Sequence, residues 1–249
     1  MHTFAQKLAY VRIRQMTDQN SLPESPDLGD VLFILASASP RRKELLELTG
    51  LEFEIRPVTV DETSDIKGSP FKLAQRIAYE KASEAVKSVP ENCLVLTADT
   101  VVINNNDILG KPETEQDAVD MLMHLRDGRH DVITSLVLVD RHARRQIHES
   151  CTTNVPMRAY TDPEIENYVA SGSPMDKAGA YGIQDDDPGL VEVGDLSGCF
   201  ANVMGLPICH FTRAMQALDR KVSADVPANC RQFTGYDCPV YKAILMGEV

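Results

Sequence analysis

The sequence predicts an α/β protein, because apolar runs of strand length alternate along the chain with amphipathic segments of helix length. Residues 93–103, "CLVLTADTVVI", are apolar almost throughout, which is typical of a central strand buried on both faces. Residues 70–86 place small and apolar side chains on one face of a helix. That face contains Ala74, Ile77, Ala78, Ala82 and Ala85.

Length and composition restrict the functional classes. The chain has 249 residues, 43% of them hydrophobic and 25% charged, which suits one large soluble domain or two lobes around a cleft. A net charge of −12 argues against a nucleic-acid partner, since such binding requires clustered basic charge. No apolar stretch reaches the roughly 18 residues of a membrane span. The six cysteines lack zinc-type spacing and predict reduced thiols in a cytoplasmic protein.

Three regions are predicted from these patterns. Residues 1–31 are expected to be an N-terminal extension that ends in a linker, residues 32–219 to be the folded domain, and residues 220–249 to be a C-terminal tail. The extension carries charges throughout and lacks the apolar centre of a signal peptide.

The first unit of the domain combines a short strand, a serine-rich turn and a helix. Residues 32–36 predict the strand, and residues 40–49 predict the helix, with Ser39 as N-cap and Gly50 after its end. Such a helix start presents free backbone N–H groups and a positive dipole end to an anion. Arg41 and Arg42 in the first turn oppose the dipole, so they either meet an anion or are solvated surface residues.

A group of carboxylates follows the next predicted strand, residues 53–60. Asp61, Glu62 and Asp65 lie just beyond it, where they form either a solvated turn or a metal site.

Two charged residues interrupt apolar surfaces. Lys81 falls in the middle of the apolar helix face, where it either extends past the small alanines to solvent or enters a functional site. Asp99 interrupts the central strand, and an ionised carboxylate there is costly unless it is paired or binds a metal. Asp99 is therefore the main candidate for catalysis, with a structural aspartate that closes a turn as the alternative.

The remaining elements follow in order. Residues 101–103 and 108–109 predict a hairpin that leads to the exposed Lys111, and a capping box at Thr114 opens a helix that ends at Leu125 and is closed by Gly128. Residues 131–139 and about 146–158 predict a second hairpin. The segment "TDPEIENYVASG" predicts a helix that is capped by Thr161 or Asp162 and ends before Gly172. A long glycine-rich stretch without helical periodicity then precedes a last helix over residues 208–218.

Six short motifs occur in an order that resembles one known family. They are "LASASPRRKELL", "VDE", "RIAYEKA", "ADTVV", "GKP" and "SGSPMDKAGAYGIQ", and together they resemble the Maf family of nucleoside triphosphate pyrophosphatases over about residues 33–218. The resemblance implies an inosine-triphosphate-pyrophosphatase-like mixed sheet with helices, two lobes around a deep cleft, and a homodimer. It also implies hydrolysis of a nucleoside triphosphate to the monophosphate and pyrophosphate with a divalent cation, Mg²⁺ or Mn²⁺.

The resemblance also assigns residues. It implies that Asp99 is the general base, that Arg41, Thr100 and Gln184 select the substrate, and that Ser39 belongs to a phosphate-binding loop. Glu62, Lys81 and Lys111 match charged active-site positions, and we expect Asp99 and Glu62 to hold the metal. The "DKAGAYGIQ" segment resembles the dTTP/UTP group rather than the 7-methyl-GTP group.

Two alternatives to this function stay open at the sequence level. A regulatory or partner-binding protein could keep the fold without catalysis. The same chemistry could also act on a purine or a modified nucleotide, which would change only the base pocket.

Overall fold

A computed structural model describes residues 31–62, 69–105, 107–185, 187 and 189–248 of the chain. Nearly all of the predicted N-terminal extension, and Asp65 of the predicted carboxylate group, lie outside the described residues.

The predicted α/β class is confirmed: in the described part of the chain, six strands form one mixed sheet with the order β2-β1-β3-β5-β6, and β4 pairs with β3. Strand β1 runs parallel to β2 and β3, whereas the pairs β3–β4, β3–β5 and β5–β6 are antiparallel. The strands are β1 (Leu32–Leu35), β2 (Glu54–Ile55), β3 (Cys93–Asn104), β4 (Asp107–Leu109), β5 (Arg129–Asp140) and β6 (Arg145–Pro156).

The helices connect and cover this sheet. They are α1 (Pro40–Glu47), α2 (Pro70–Ala85), α3 (Glu115–Leu125), α4 (Asp162–Ala170), α5 (Phe200–Met204), α6 (Ile208–Ala217), α7 (Val226–Thr234) and α8 (Tyr241–Met246). The predicted caps at Ser39 and Thr114 are confirmed, and of the two candidates for α4 the cap is Thr161. Gly50 and Gly172 have the positive φ that glycine adopts after a helix.

Strand β3 is buried on both faces, as its sequence predicts. Val95 and Val101 face the side covered by α2, where they pack with Ile34 and Ile77 respectively. The intervening Leu94, Leu96, Ala98 and Val102 belong to the main core on the other side. This alternation directs Asp99 towards α2 and Thr100 towards the main core.

A gap along one edge of β3 makes room for a site. Strand β5 pairs with β3 from Leu94 to Ile103, so β1 and β4 share the other edge. Strand β1 pairs only as far as Leu96, and β4 begins to pair at Val102. In the described part of the chain, residues 97–101, which include Asp99 and Thr100, therefore lack a neighbouring strand on that edge.

Two local predictions are wrong in their extent. The strand predicted over residues 53–60 is restricted to β2, because β1 ends at Leu35 and Pro57 has no N–H to extend the pairing. Gly128 does not close α3, since the chain leaves the helix at Arg126 and Asp127 takes the positive φ.

The C-terminal half contains more helix than the sequence predicts. The glycine-rich stretch includes α5 and three 3₁₀ turns, Ser173–Asp176, Ala178–Ala180 and Val193–Asp195. The segment expected to be a tail forms α7 and α8 instead, because Val226, Cys230 and Ile244 provide apolar side chains that are buried. Of the helices that the structure describes, none has both the length and the hydropathy needed to cross a membrane.

Candidate active site

A cavity of about 500 Å³ opens at the gap beside β3. All eight residues that the sequence analysis selected for the site line this cavity. They are Ser39, Arg41, Glu62, Lys81, Asp99, Thr100, Lys111 and Gln184. The structure thus brings them together, while the role of each one stays a prediction.

Asp99 and Lys81 form the floor of the cavity. The Nζ atom of Lys81 lies 2.8 Å from Oδ1 of Asp99 and 2.7 Å from Oε1 of Glu62. The side chains of Lys81 and Asp99 are 12% and 9% exposed, whereas that of Glu62 is 56% exposed. Lys81 therefore enters the site instead of extending past the alanines into solvent.

Burial raises the pKa of Asp99 above the ordinary value for aspartate, although the positive charges of Lys81 and Arg42 act in the opposite direction. A carboxylate with a raised pKa is a better proton acceptor than an ordinary aspartate. The position of Asp99 in the gap of β3 leaves it beside the cavity.

The two adjacent arginines have different environments. Arg41 donates from Nη1 to Oδ2 of Asp176 at 2.7 Å, and both residues line the cavity. Arg42 is partly buried and donates to the carbonyl oxygen of Gly205 at 2.8 Å, to Oγ of Ser37 at 3.2 Å and to Oγ1 of Thr100 at 3.1 Å. The alternative that Arg42 is a solvated surface residue is therefore wrong. Its side chain joins the β1–α1 turn to β3 and to the residue after α5.

The hydroxyl of Thr100 is part of a chain of hydrogen bonds. Thr134 donates to the carbonyl oxygen of Asn202 at 3.0 Å, so its proton is not available to Thr100. The 2.9 Å contact between the two threonine hydroxyls therefore uses the proton of Thr100. Thr100 can accept a hydrogen bond from a ligand, but its own proton is directed into the protein.

The turn before α1 lies beside the cavity, and two of its backbone N–H groups are bonded within the turn itself. Ser39 accepts a hydrogen bond from the backbone N–H of Arg42 at 3.4 Å, and Ser37 accepts one from the N–H of Ser39 at 3.2 Å. Lys111 is exposed and also lines the cavity. Its neighbour Gly110 accepts a hydrogen bond from the N–H of Gly179 at 3.0 Å, which holds this connection against the glycine-rich stretch.

Sequence reasoning missed three polar residues that also line the cavity: Ser37, Asp176 and Lys177. Lys177 is buried and donates from Nζ to Oδ1 of Asp176 at 2.9 Å. Burial of Asp176 favours its neutral form, but hydrogen bonds from Lys177 and Arg41 outweigh this effect and lower its pKa. A charged pair inside the glycine-rich "SPMDKAG" segment was the available signal.

The cavity is basic although the protein is acidic. Its described lining contains five cationic residues, Arg41, Arg42, Lys81, Lys111 and Lys177, and three anionic residues, Glu62, Asp99 and Asp176. A net positive cavity in a chain with a net charge of −12 attracts a polyanionic ligand of limited size.

The metal site expected at Asp99 and Glu62 stays a prediction, and both carboxylates lie at Lys81. Among the described residues, no group of three or more His, Cys, Asp or Glu side chains could hold a metal ion. Mg²⁺ is commonly bound by one or two carboxylates together with substrate phosphates, and Asp99 and Glu62 supply such a pair.

Comparisons with known proteins agree on the family. The family model described as "Maf-like protein" matches residues 32–218. The dTTP/UTP pyrophosphatase of Alkaliphilus metalliredigens is 43% identical over 176 residues, which cover 71% of this chain and 90% of that protein. The dTTP/UTP pyrophosphatase of Acetivibrio thermocellus is 44% identical over 184 residues, which cover 72% and 90%.

Similarity to a solved structure is weak. A nucleoside-triphosphatase, a dITP/XTP pyrophosphatase from Mycobacterium abscessus, is 16% identical with a TM-score of 0.32, and the match covers 52% of this chain and 75% of that one. A TM-score this low does not establish a shared fold. The two-lobed outline and the inosine-triphosphate-pyrophosphatase-like fold therefore stay implications of the motif resemblance. The family model and the relatives are decisive, and they show that this chain belongs to the Maf-like family.

Proposed function

We propose that this protein hydrolyses nucleoside triphosphates between the α and β phosphates, with UTP and dTTP as its preferred substrates. The observation that carries the proposal is the buried carboxylate of Asp99, which lies with five cationic side chains in one cavity. The names of the relatives, dTTP/UTP pyrophosphatases at 43% and 44% identity, support the same reaction and the same bases.

In the proposed reaction, Asp99 accepts a proton from the attacking water. The water oxygen bonds to the α-phosphorus as the bond from this phosphorus to the bridging oxygen breaks, and the products are the monophosphate and pyrophosphate. Negative charge builds on the leaving pyrophosphate, where Arg41, Lys81 and Lys111 neutralise it. In the turn before α1, the backbone N–H groups other than those of Ser39 and Arg42 would provide further donors for phosphate oxygens.

Asp99 and Glu62 are the residues that would hold a divalent cation in this proposal. Each carboxylate has one oxygen at Lys81 and a second oxygen for other interactions. When bound, Mg²⁺ or Mn²⁺ would screen the phosphate charge and lower the pKa of a coordinated water.

The test is a panel of nucleoside triphosphates at equal concentration with the purified protein. We expect release of pyrophosphate and not of orthophosphate, higher kcat/KM for UTP and dTTP than for CTP, ATP or GTP, and loss of turnover in excess chelator. Turnover at full rate in chelator would contradict the metal assignment. Absence of pyrophosphate release with every nucleotide and cation would favour a regulatory protein, and a preference for a purine triphosphate would move the specificity to another base.

Gln184 is the residue on which the proposed base preference depends. Its amide can pair with the O4 and N3–H groups of uracil and thymine, whereas leucine cannot. The variant Gln184→Leu should lower kcat/KM for UTP and dTTP more than for CTP. An unchanged preference would place base selection elsewhere, with Arg41 and Thr100 as the next positions to test.

A homodimer and a cytoplasmic location remain part of this proposal. The dimer follows from the motif resemblance, and the location follows from the thiol pattern of the sequence. The molar mass from light scattering and the distribution of the native protein among cell fractions are the corresponding measurements.

A further inference from the structure

The carboxylate of Asp185, next to the predicted base-selecting residue, is held by side chains from three directions. Its Oδ2 atom accepts hydrogen bonds from the hydroxyl of Tyr168 at 2.5 Å and from Oγ of Ser173 at 2.9 Å. The Nζ atom of Lys177 lies 3.8 Å from the same oxygen. Burial raises the pKa of Tyr168, so its hydroxyl stays protonated and donates. Asp185 is thus a fixed acceptor beside Gln184, which lines the cavity.

The other oxygen of Asp185 orients Gln184. Oδ1 accepts a hydrogen bond from Nε2 of Gln184 at 3.0 Å. An ionised carboxylate has no proton to donate, so the amide nitrogen faces it, and the reversed amide would place two acceptors against each other. Asp185 therefore determines which end of the Gln184 amide points away from it.

The amide oxygen that results from this orientation has no partner. Oε1 of Gln184 is shielded from water and accepts no hydrogen bond from any described residue. An unsatisfied buried acceptor is costly and is retained where a ligand can satisfy it. Gln184 lines the cavity, so a small movement of its side chain towards the cavity would bring Oε1 within reach of a bound base.

Gly182 permits this close arrangement. A Cβ atom at position 182 would lie 2.5 Å from Nε2 of Gln184 and 2.7 Å from Oδ2 of Asp185. Any larger residue would displace the amide, so the orientation is part of the packing around Gln184.

We propose that Asp185 is a positioning residue for base selection: it holds the Gln184 amide so that Oε1 accepts a hydrogen bond from the N3–H group of uracil or thymine. The inference rests on the proposed function and deepens it. In a uracil or thymine nucleotide, N1 is bonded to the sugar, so N3–H is the only N–H group of the base. Cytosine has an unprotonated N3, which would meet this oxygen as a second acceptor.

The variant Asp185→Asn tests the inference because it should reverse the amide. The ammonium group of Lys177 can only donate hydrogen bonds, so the oxygen of the introduced asparagine amide should face Lys177. The NH₂ group of this asparagine then faces Gln184. Gln184 would then turn its oxygen to this NH₂ and present its nitrogen to the base. We expect the ratio of affinities for α,β-methylene UTP and α,β-methylene CTP, measured by calorimetry, to fall by about tenfold or more.

Matched variants distinguish positioning of the Gln184 amide by Asp185 from a general effect of a charge change in this segment. Asp187→Asn makes the same charge change at an exposed side chain two residues away, and it should leave the ratio unchanged. In a Gln184→Ala background, Asp185→Asn should change the ratio by less than about twofold, because there is no amide left to orient. A tenfold change in that background would overturn the proposal, since Asp185 would then act without Gln184.

A measurement on the unmodified protein covers the case in which Asp185→Asn fails to fold. The 3-methyluridine form of α,β-methylene UTP lacks N3–H and should bind about tenfold more weakly than the parent analogue. Equal binding would overturn the proposal, as would an unchanged UTP to CTP ratio in folded Asp185→Asn. If the wild-type protein binds neither parent analogue, the proposed function itself fails. That result differs from an unchanged ratio of affinities in Asp185→Asn, which would contradict only the role of Asp185.

Discussion

The Nζ atom of Lys81 lies 2.8 Å from Oδ1 of Asp99, and this pair joins the middle of α2 to the open part of β3. Ala78 and Ala82, both buried, flank the lysine along the helix, and their small side chains leave space for it to pass. A lysine in an otherwise apolar face is stabilised there by two carboxylates, because Glu62 accepts from the same ammonium group.

We predict that Asp99→Asn lowers the turnover of nucleoside triphosphate by about 10²–10⁴, since asparagine cannot accept the proton from water. The fold should persist, because burial disfavours the charge of Asp99 and asparagine has the same shape. Circular dichroism and pyrophosphate release measure the two effects. Asp107→Asn, at an exposed aspartate of β4, is the matched control and should keep full activity. An active Asp99→Asn enzyme would show that this carboxylate is structural.

The pH dependence of kcat/KM should report Asp99. Activity requires the ionised form, so the rate falls as the pH drops through a pKa that burial holds above the ordinary value for aspartate. Lys81 opposes this rise, so Lys81→Met should move the acid limb of the profile to higher pH.

If Lys81→Met has too little activity for a pH profile, carbon-13 NMR titration of the Asp99 carboxyl measures the change in its pKa directly. Lys43→Met, on the exposed side of α1, should move neither the profile nor the titration. A carboxyl whose pKa is the same with and without Lys81 would contradict the predicted coupling.

Arg41 and Arg42 should respond differently to lysine. Arg42→Lys should lower the free energy of unfolding by about 1–3 kcal/mol, because a lysine cannot bond Gly205, Ser37 and Thr100 together. Arg41→Lys keeps the charge near Asp176 at a partly exposed site and should cost less than about 1 kcal/mol. Urea denaturation compares the two variants, and equal losses would count against the structural role of Arg42.

Acid should destabilise the protein through two buried histidines. Burial lowers the pKa of His130 and of His210 from 6.5 to about 4. Between these values the unfolded chain binds protons that the native protein does not, so stability is present above pH 6.5 and is lost as the pH falls towards 4. The loss can reach roughly 3 kcal/mol for each histidine.

Urea midpoints at about pH 7 and about pH 4.5 measure this loss. His130→Gln should reduce the difference between them, whereas His142→Gln, at an exposed position, should leave it unchanged. A difference of the same size in His130→Gln would assign the acid sensitivity to other groups.

Several features could be predicted from sequence because their causes are local. The caps at Ser39, Thr114 and Thr161 depend on residues within three positions along the chain. The burial of β3 on both faces follows from its continuous apolar run, and Asp99 and Lys81 could be selected because each is a charge on an apolar surface. The six ordered motifs predicted membership of the Maf family, which the comparisons confirmed.

Other features depended on contacts between distant parts of the chain, and only the tertiary structure decided them. Arg41 bonds Asp176 across 135 positions and Arg42 bonds Gly205 across 163. No local pattern could therefore show that Arg41 pairs with a carboxylate while Arg42 joins three segments. The helices of the C-terminal segment were missed for the same reason, because their few apolar residues become informative only against the core that buries them. The orientation of the Gln184 amide likewise follows from Tyr168, Ser173 and Lys177 around Asp185, since a hydrogen bond depends on distance and direction in space.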